Sequence, residues 1–270
     1  MSSEAPLRNI RLLVQYEGTD FCGWQRQDGL RTVQGELTRA VQEMVHHPVK
    51  LGGSSRTDAG VHAVGMPSNF KTHRDIPLIG FVRGLNDKLD RDVAVLEAVE
   101  VPAEWDARDA AVAKKYCYRY LLGESRMPLW DRTSWWVKRQ SLDVEAMHEA
   151  AQAFVGSHDF SSFRASKCVA RTRRRLMHSL DVSRSQDGSQ VVLRIVGNAF
   201  LTHMVRIMAG TLFRVGVGQT RIDEVAEILA AKERSHAGMT APSRGLTLEK
   251  VYFEGYPRIG KVTTDSTAAP

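Results

Sequence analysis

Cysteine is scarce in this chain: three in 270 residues, Cys22, Cys117 and Cys168, far apart and odd in number. With no C-x-x-C and no Cys/His pair at zinc spacing, neither a disulfide framework nor a structural zinc site is expected. The sequence reads as a reduced, cytoplasmic, metal-free protein. Long apolar runs are missing as well. Nowhere do about 18 apolar residues follow one another, as a membrane span requires. The first ten residues lack the apolar core of a secretory leader, so a soluble protein that is not exported and has no membrane partner is expected. Acidic charge is in the minority, 31 Asp and Glu against 37 Lys and Arg, which leaves +6 and an isoelectric point near 9.3. That surplus suits a polyanionic partner without identifying one. Residues 261–270 have no large apolar side chain beyond Val262, too little to offset the entropy of ordering. Residues 259–270 are therefore expected to form a disordered tail.

What the chain does have is two runs of alternating pattern, enough for two modest domains at about 100 to 200 residues each. Residues 8–16 alternate Ile10, Leu12, Val14 and Tyr16 with polar or second-face positions, the period of a strand. After a loop containing Gly18, Gly23 and Gly29, the residues Val33, Leu37, Ala40, Val41 and Met44 fall on one helical stripe. Thr32 stands as its N-cap and Pro48 as its end. Residues 49–53 and 61–70 read as strands, 78–89 as a helix and 93–99 as a strand, giving β-α-β-β-α-β. Beyond 101–113 the layout recurs: strand 115–122, helix 144–155, strands 176–183 and 191–196, helix 200–215 and strand 248–253. An Arg-rich run and an amphipathic helix at 222–231 are insertions. The expected class is α+β, two ferredoxin-like halves at 1–103 and 104–258, each a sheet with helices on one face. No sequence repeat supports the duplication, which rests on element order.

The most informative segment is Ser54-Ser55-Arg56-Thr57-Asp58-Ala59-Gly60-Val61-His62-Ala63, where one acid stands beside one base in a run built to bend. Gly52, Gly53 and Gly60 tolerate backbone angles that other residues avoid, and Arg56 and Thr57 offer contacts around a single carboxylate. Asp58 reads either as a catalytic carboxylate or as the cap of its own turn.

Other motifs lie in order along residues 8–255. They are Tyr16-Glu17-Gly18-Thr19, Gly23-Trp24-Gln25-Arg26-Gln27, Thr32-Val33-Gln34-Gly35-Glu36-Leu37, Lys115-Tyr116-Cys117-Tyr118, the run from Asn198 to Arg206, and Ala241-Pro242-x-x-Gly245-Leu246-x-Leu248. Together with the Asp58 loop they resemble the tRNA pseudouridine synthase A (TruA) family. The resemblance implies the pseudouridine synthase fold with its active-site cleft between the halves. It implies isomerisation of uridine to pseudouridine in the anticodon stem-loop, at tRNA positions 38, 39 and 40, without metal or cofactor. It also implies a homodimer with one tRNA across both subunits. It makes Asp58 the catalytic residue, Arg206 its buried basic partner and Tyr116 the active-site tyrosine. Leu246 closes the pocket over the base, Arg56 contacts RNA and supports base flipping, and Arg108, Arg171 and Thr172 contact the tRNA.

The residues read on their own keep alternatives open. Arg206 is crowded by Phe200, Leu201, Met204, Val205, Ile207 and Met208, where a guanidinium wants a buried anion; otherwise it is a surface charge on an amphipathic helix. Tyr116 shares a strand face with Tyr118 and Tyr120, and one of these rings can stack on a base, a contact worth about 1 to 3 kcal/mol. Cross-strand packing is the alternative. Arg56 can instead pair locally with Asp58 or Asp20, and Arg171 to Arg175 can be a solvated face. His62, His158 and His203 read as structural or RNA-contacting. The chain departs from the family after Ala63, with Val64-Gly65-Met66-Pro67-Ser68 in place of a Gln-bearing strand start. A non-catalytic RNA-binding module is the rival class, and a nucleoside hydrolase a third. The joint presence of Asp58, Tyr116 and Arg206 speaks against a mere binder.

Overall fold

The structure is a computed structural model that describes residues 6–166 and 168–256. In it the alternating run at the start becomes β1 (Arg8–Tyr16), with Ile10, Leu12, Val14 and Tyr16 all in the core. The tail expected at 259–270 lies outside the described residues. The Val33 stripe forms α1 (Val33–Val45), capped by Thr32, whose hydroxyl accepts from the Gly35 N–H. It stops before Pro48, because His46 turns left-handed at φ 57° and returns its N–H to Gln42.

The strand expected at 49–53 shrinks to β2 (Gly52–Gly53), and Pro67 sets where its ladder stops after Gly53. Pro67 lies inside β3 (His62–Thr72), and its carbonyl accepts from Ser54 N–H at 3.0 Å. In an antiparallel ladder the N–H of a residue points to the same side as its carbonyl, and proline has none to return. The ladder between β2 and β3 ends there. The half is completed by α2 (Leu78–Asn86) and β4 (Val93–Val101).

The second half opens with β5 (Ala113–Leu122), α3 (Pro128–Asp131) and β6 (Trp135–Val137), the last two too short to leave a period in the sequence. Next come α4 (Val144–Ala151), capped by Asp143 and prolonged by a 3-10 turn, and β7 (Gly156–Asp159), an edge strand without apolar alternation. β8 (Arg174–Arg184) and β9 (Gln190–Gly197) pair antiparallel. α5 (Met204–Gly216) begins four residues later than the pattern suggests, because His203 takes a left-handed φ of 62°. α6 (Glu224–Ala231) and β10 (Leu246–Tyr252) close the chain.

Strands run β4-β1-β3-β10-β5-β9-β8-β7, with β2 on β3 and β6 on β5. The first half therefore has order β4-β1-β3-β2 and the second β10-β5-β9-β8, the same order of fourth, first, third and second strand. The two sheets are one. β10 lies parallel to β3, with Thr247 opposite His62 and Leu248 opposite Ala63, and antiparallel to β5. This seam brings the start of β3, just after Asp58, beside β10 and the tyrosine strand β5.

Candidate active site

Asp58 opens a turn closed by Val61 N–H to the Asp58 carbonyl at 3.1 Å, with Gly60 at φ 76° in its third position. That is a type II arrangement, which needs a residue free of a Cβ there. The turn is held from outside. Trp24 N–H donates to the Thr57 carbonyl at 3.1 Å, and the Tyr16 and Thr57 hydroxyls share a buried bond of 2.8 Å. Gly23, at φ 87°, permits the approach, since a Cβ there would stand 2.7 Å from the Thr57 carbonyl oxygen. Gly18 N–H donates to Nδ1 of His62 at 2.9 Å, which leaves the ring proton on Nε2 for the Arg244 carbonyl at 3.0 Å. Burial pushes the His62 pKa down, so this strut is a neutral imidazole.

The Asp58 carboxylate does not cap its own turn. Its partner is Arg206, from the first turn of α5 and 148 residues away, with Nη1 3.4 Å from Oδ2. Arg206 is itself fixed: Nε donates to the Ala241 carbonyl at 2.8 Å, and its own carbonyl accepts from Ala241 N–H at 3.1 Å. The strained His203 brings Nε2 to 3.7 Å from the same Oδ2. Sequence reading gave His203 no such place, because its backbone strain and the fold of α5 over the turn are long-range outcomes.

Tyr116 stands on β5, almost fully buried, with its hydroxyl 2.9 Å from Ser55 Oγ and its ring edge-on to Phe200. Burial pushes its pKa up to about 12, the Ser55 bond opposes the rise and the Asp58 charge adds to it; at neutral pH the group is a phenol. Tyr118 and Tyr120 differ. Both are fully buried, with hydroxyls donating to the carbonyls of Pro242 and Ala209, and both belong to the core.

Asp58, Tyr116 and Leu246 line one cavity of about 1100 Å³. Six lysine and arginine side chains line it against three aspartates, so its field favours an anion. Arg56, Arg108 and Arg171 are among the six, all exposed. Among the described residues Arg56 makes no ion pair, and Asp20, its alternative partner, is held by Arg132. Thr172 lies outside the lining and accepts from Arg175 instead. Arg206 approaches Asp58 from a second, smaller cavity of about 350 Å³ beside Gly60 and Ser243. Among the described residues, no group of three or more His, Cys, Asp or Glu is placed to hold a metal. No helix among them is long and apolar enough to cross a membrane.

Six cations around a cavity where the Asp58 carboxylate and the Tyr116 phenol meet describe an enzyme that grips a polyanion by its charges and works on an uncharged part of it. The chain belongs to the tRNA pseudouridine synthase family, whose model matches residues 12–108 and 150–254. It is 47% identical to a tRNA pseudouridine synthase A of Geobacter sp. (strain M21), over 92% of this chain and 99% of that one. Identity to the protein of that name from Citrifermentans bemidjiense is also 47%, over 92% and 98%. For the Myxococcus xanthus protein it is 42%, over 95% and 97%. Among solved structures, an H/ACA RNP bound to a substrate RNA containing 2′-deoxyuridine matches at TM-score 0.35 and 12% identity. That match covers 88% of this chain and 47% of the other, and is too loose to bear on the site.

Proposed function

We propose that this cavity isomerises uridine to pseudouridine in tRNA, in the anticodon stem-loop at positions 38, 39 and 40, with Asp58 as the catalytic carboxylate. The reaction breaks the bond from N1 of uracil to C1′, turns the base and joins C5 to C1′. N1 gains a proton and C5 loses one, so the product is an isomer and no co-reactant is consumed. Asp58 acts at C1′, at C6 of the base, or on the C2′ proton. Arg206 orients it and balances its charge. Tyr116 offers a ring to stack on the flipped base and a phenol to serve the C5 proton. Leu246 covers the base, while Arg56, Arg108, Arg171 and Thr172 hold the RNA and help the base out of its stack, at a cost of a few kcal/mol. The single observation that carries this reading is Asp58 at the wall of a cation-lined cavity that also holds Tyr116, with Arg206 reaching the same carboxylate from the smaller cavity behind it, three segments distant in sequence.

Asp58→Asn keeps shape and loses charge. Pseudouridine formation should fall below detection while tRNA affinity stays within a few fold; substantial turnover would remove Asp58 from this role, and release of free uracil by the parent would make it a hydrolase. The reading includes residues 1–103 and 104–258 as working halves and a cytoplasmic homodimer, as the family resemblance implies. A sedimentation mass near the 30.2 kDa of one chain would overturn the dimer.

A further inference from the structure

Three cations stand on one wall of the main cavity. Lys114 lies on β5 two residues before Tyr116, on the same face and about 7 Å along the strand. Its cross-strand neighbours, Gly197 on β9 and Val251 on β10, carry no charge. Arg108, from the loop before β5, and Arg175, from β8, line the same cavity. Among the described residues none of the three forms an ion pair. Arg175 donates through Nη1 to neutral groups only, the carbonyls of Thr172 and Arg174 and the Thr172 hydroxyl, and its Nε is buried without a partner. Asp106, an acid of the same lining, is turned to its own loop, where Oδ1 accepts the N–H groups of Arg108 and Asp109.

Such a trio is unfavourable by itself. Burial, and then repulsion from Arg108 and Arg175, push the Lys114 pKa down to about 8, and burial lowers that of Arg175. Stability does not call for gathering cations at one wall, and an anion brought by a ligand relieves both the repulsion and the unpaired Nε.

We infer that Lys114, Arg108 and Arg175 form a subsite for one backbone phosphodiester of the RNA, beside the nucleotide whose base enters the cavity at Tyr116. The inference rests on the reading of that cavity as a uridine pocket. Burial sets Lys114 and Arg175 apart from the exposed arginines of the same region: both are half-buried inside the cavity, so they hold a particular phosphate rather than the general field of the tRNA, and the exposed Arg108 joins them from the rim.

The test is a double-mutant cycle on a synthetic anticodon stem-loop in which a neutral methylphosphonate replaces the linkage 5′ or 3′ to the target uridine. Affinity of the parent should fall about 10- to 100-fold for one of the two linkages, the size of one charge-assisted contact. Lys114→Gln should lose a similar factor on the unmodified RNA and then be nearly indifferent to the methylphosphonate at that linkage. Arg175→Gln, put through the same cycle, repeats the test should Lys114→Gln fold poorly. Losses that multiply independently at both linkages, or a parent indifferent to both, would overturn the subsite. Pseudouridine formation by the parent on the unmodified stem-loop is measured alongside. Its absence would fell the proposed function, whereas activity with an independent cycle would fell the phosphate subsite alone.

Discussion

Tyr116 shows how one side chain can be read as scaffold or site, and how the two differ. Its neighbours at i+2 and i+4 on the strand, Tyr118 and Tyr120, spend their hydroxyls on backbone carbonyls in the core. Tyr116 bonds a serine of the Asp58 loop and faces the cavity. Tyr116→Phe should bind tRNA nearly as well as the parent yet turn over slowly, and Tyr116→Leu should lose both stacking and turnover. Single-turnover rate, affinity and thermal midpoint on both variants decide the matter; an active, merely destabilised Leu variant would return Tyr116 to the core. The sign of its pKa shift adds a check. A phenol raised to about 12 by burial stays protonated across the neutral range, and its burial counts against folding only as pH climbs from about 10 through 12. A rate profile that reported this tyrosine ionising near pH 8 would contradict its environment.

At the scale of elements, the Asp58 turn depends on conformation more than on contacts. Gly60→Ala must place a Cβ at φ 76° and within 2.5 Å of the Ser243 hydroxyl, a strain of about 1 to 2 kcal/mol before the serine moves. The melting temperature should drop by roughly 2 to 8 °C, and turnover should fall further than that loss of stability explains, because the turn aims the carboxylate. Full activity in this variant would mean that the aim of Asp58 is set elsewhere. The same dependence on backbone geometry governs the ends of the helices. α1 and α5 are bounded by left-handed histidines, His46 and His203, and the second of these brings an imidazole to the carboxylate.

The whole molecule presents charge to its substrate in two ways, a cavity lined by cations and an exposed basic run. Replacing Arg171, Arg173 and Arg174 with Ser should weaken binding to all tRNAs alike and flatten the dependence of log affinity on log salt by about 2 to 3 units, since each phosphate contact contributes a little under one. An unchanged slope would return the run to the role of a solvated face. The two predictions on positive charge are separable, because Lys114 and Arg175 respond to one linkage and the exposed arginines to ionic strength.

Legible from the residues alone were those things a short window encodes. The alternation of Ile10, Leu12, Val14 and Tyr16 is set by strand geometry, the Val33 stripe by helical period, and both survived folding with small shifts at their ends. Asp58, Arg206, Tyr116 and Leu246 were legible as residues of a motif, because their neighbours in sequence carry the resemblance. Hidden were the relations between segments. Nothing local states that β10 inserts beside β3, that Arg206 reaches a carboxylate 148 residues away, that Ser55 holds the Tyr116 hydroxyl, or that among the described residues no acid pairs with Lys114 or Arg175. Local pattern is a property of the backbone repeat. Pairing, burial and the absence of a partner depend on which distant surfaces the single sheet brings together, so only the tertiary structure decided them.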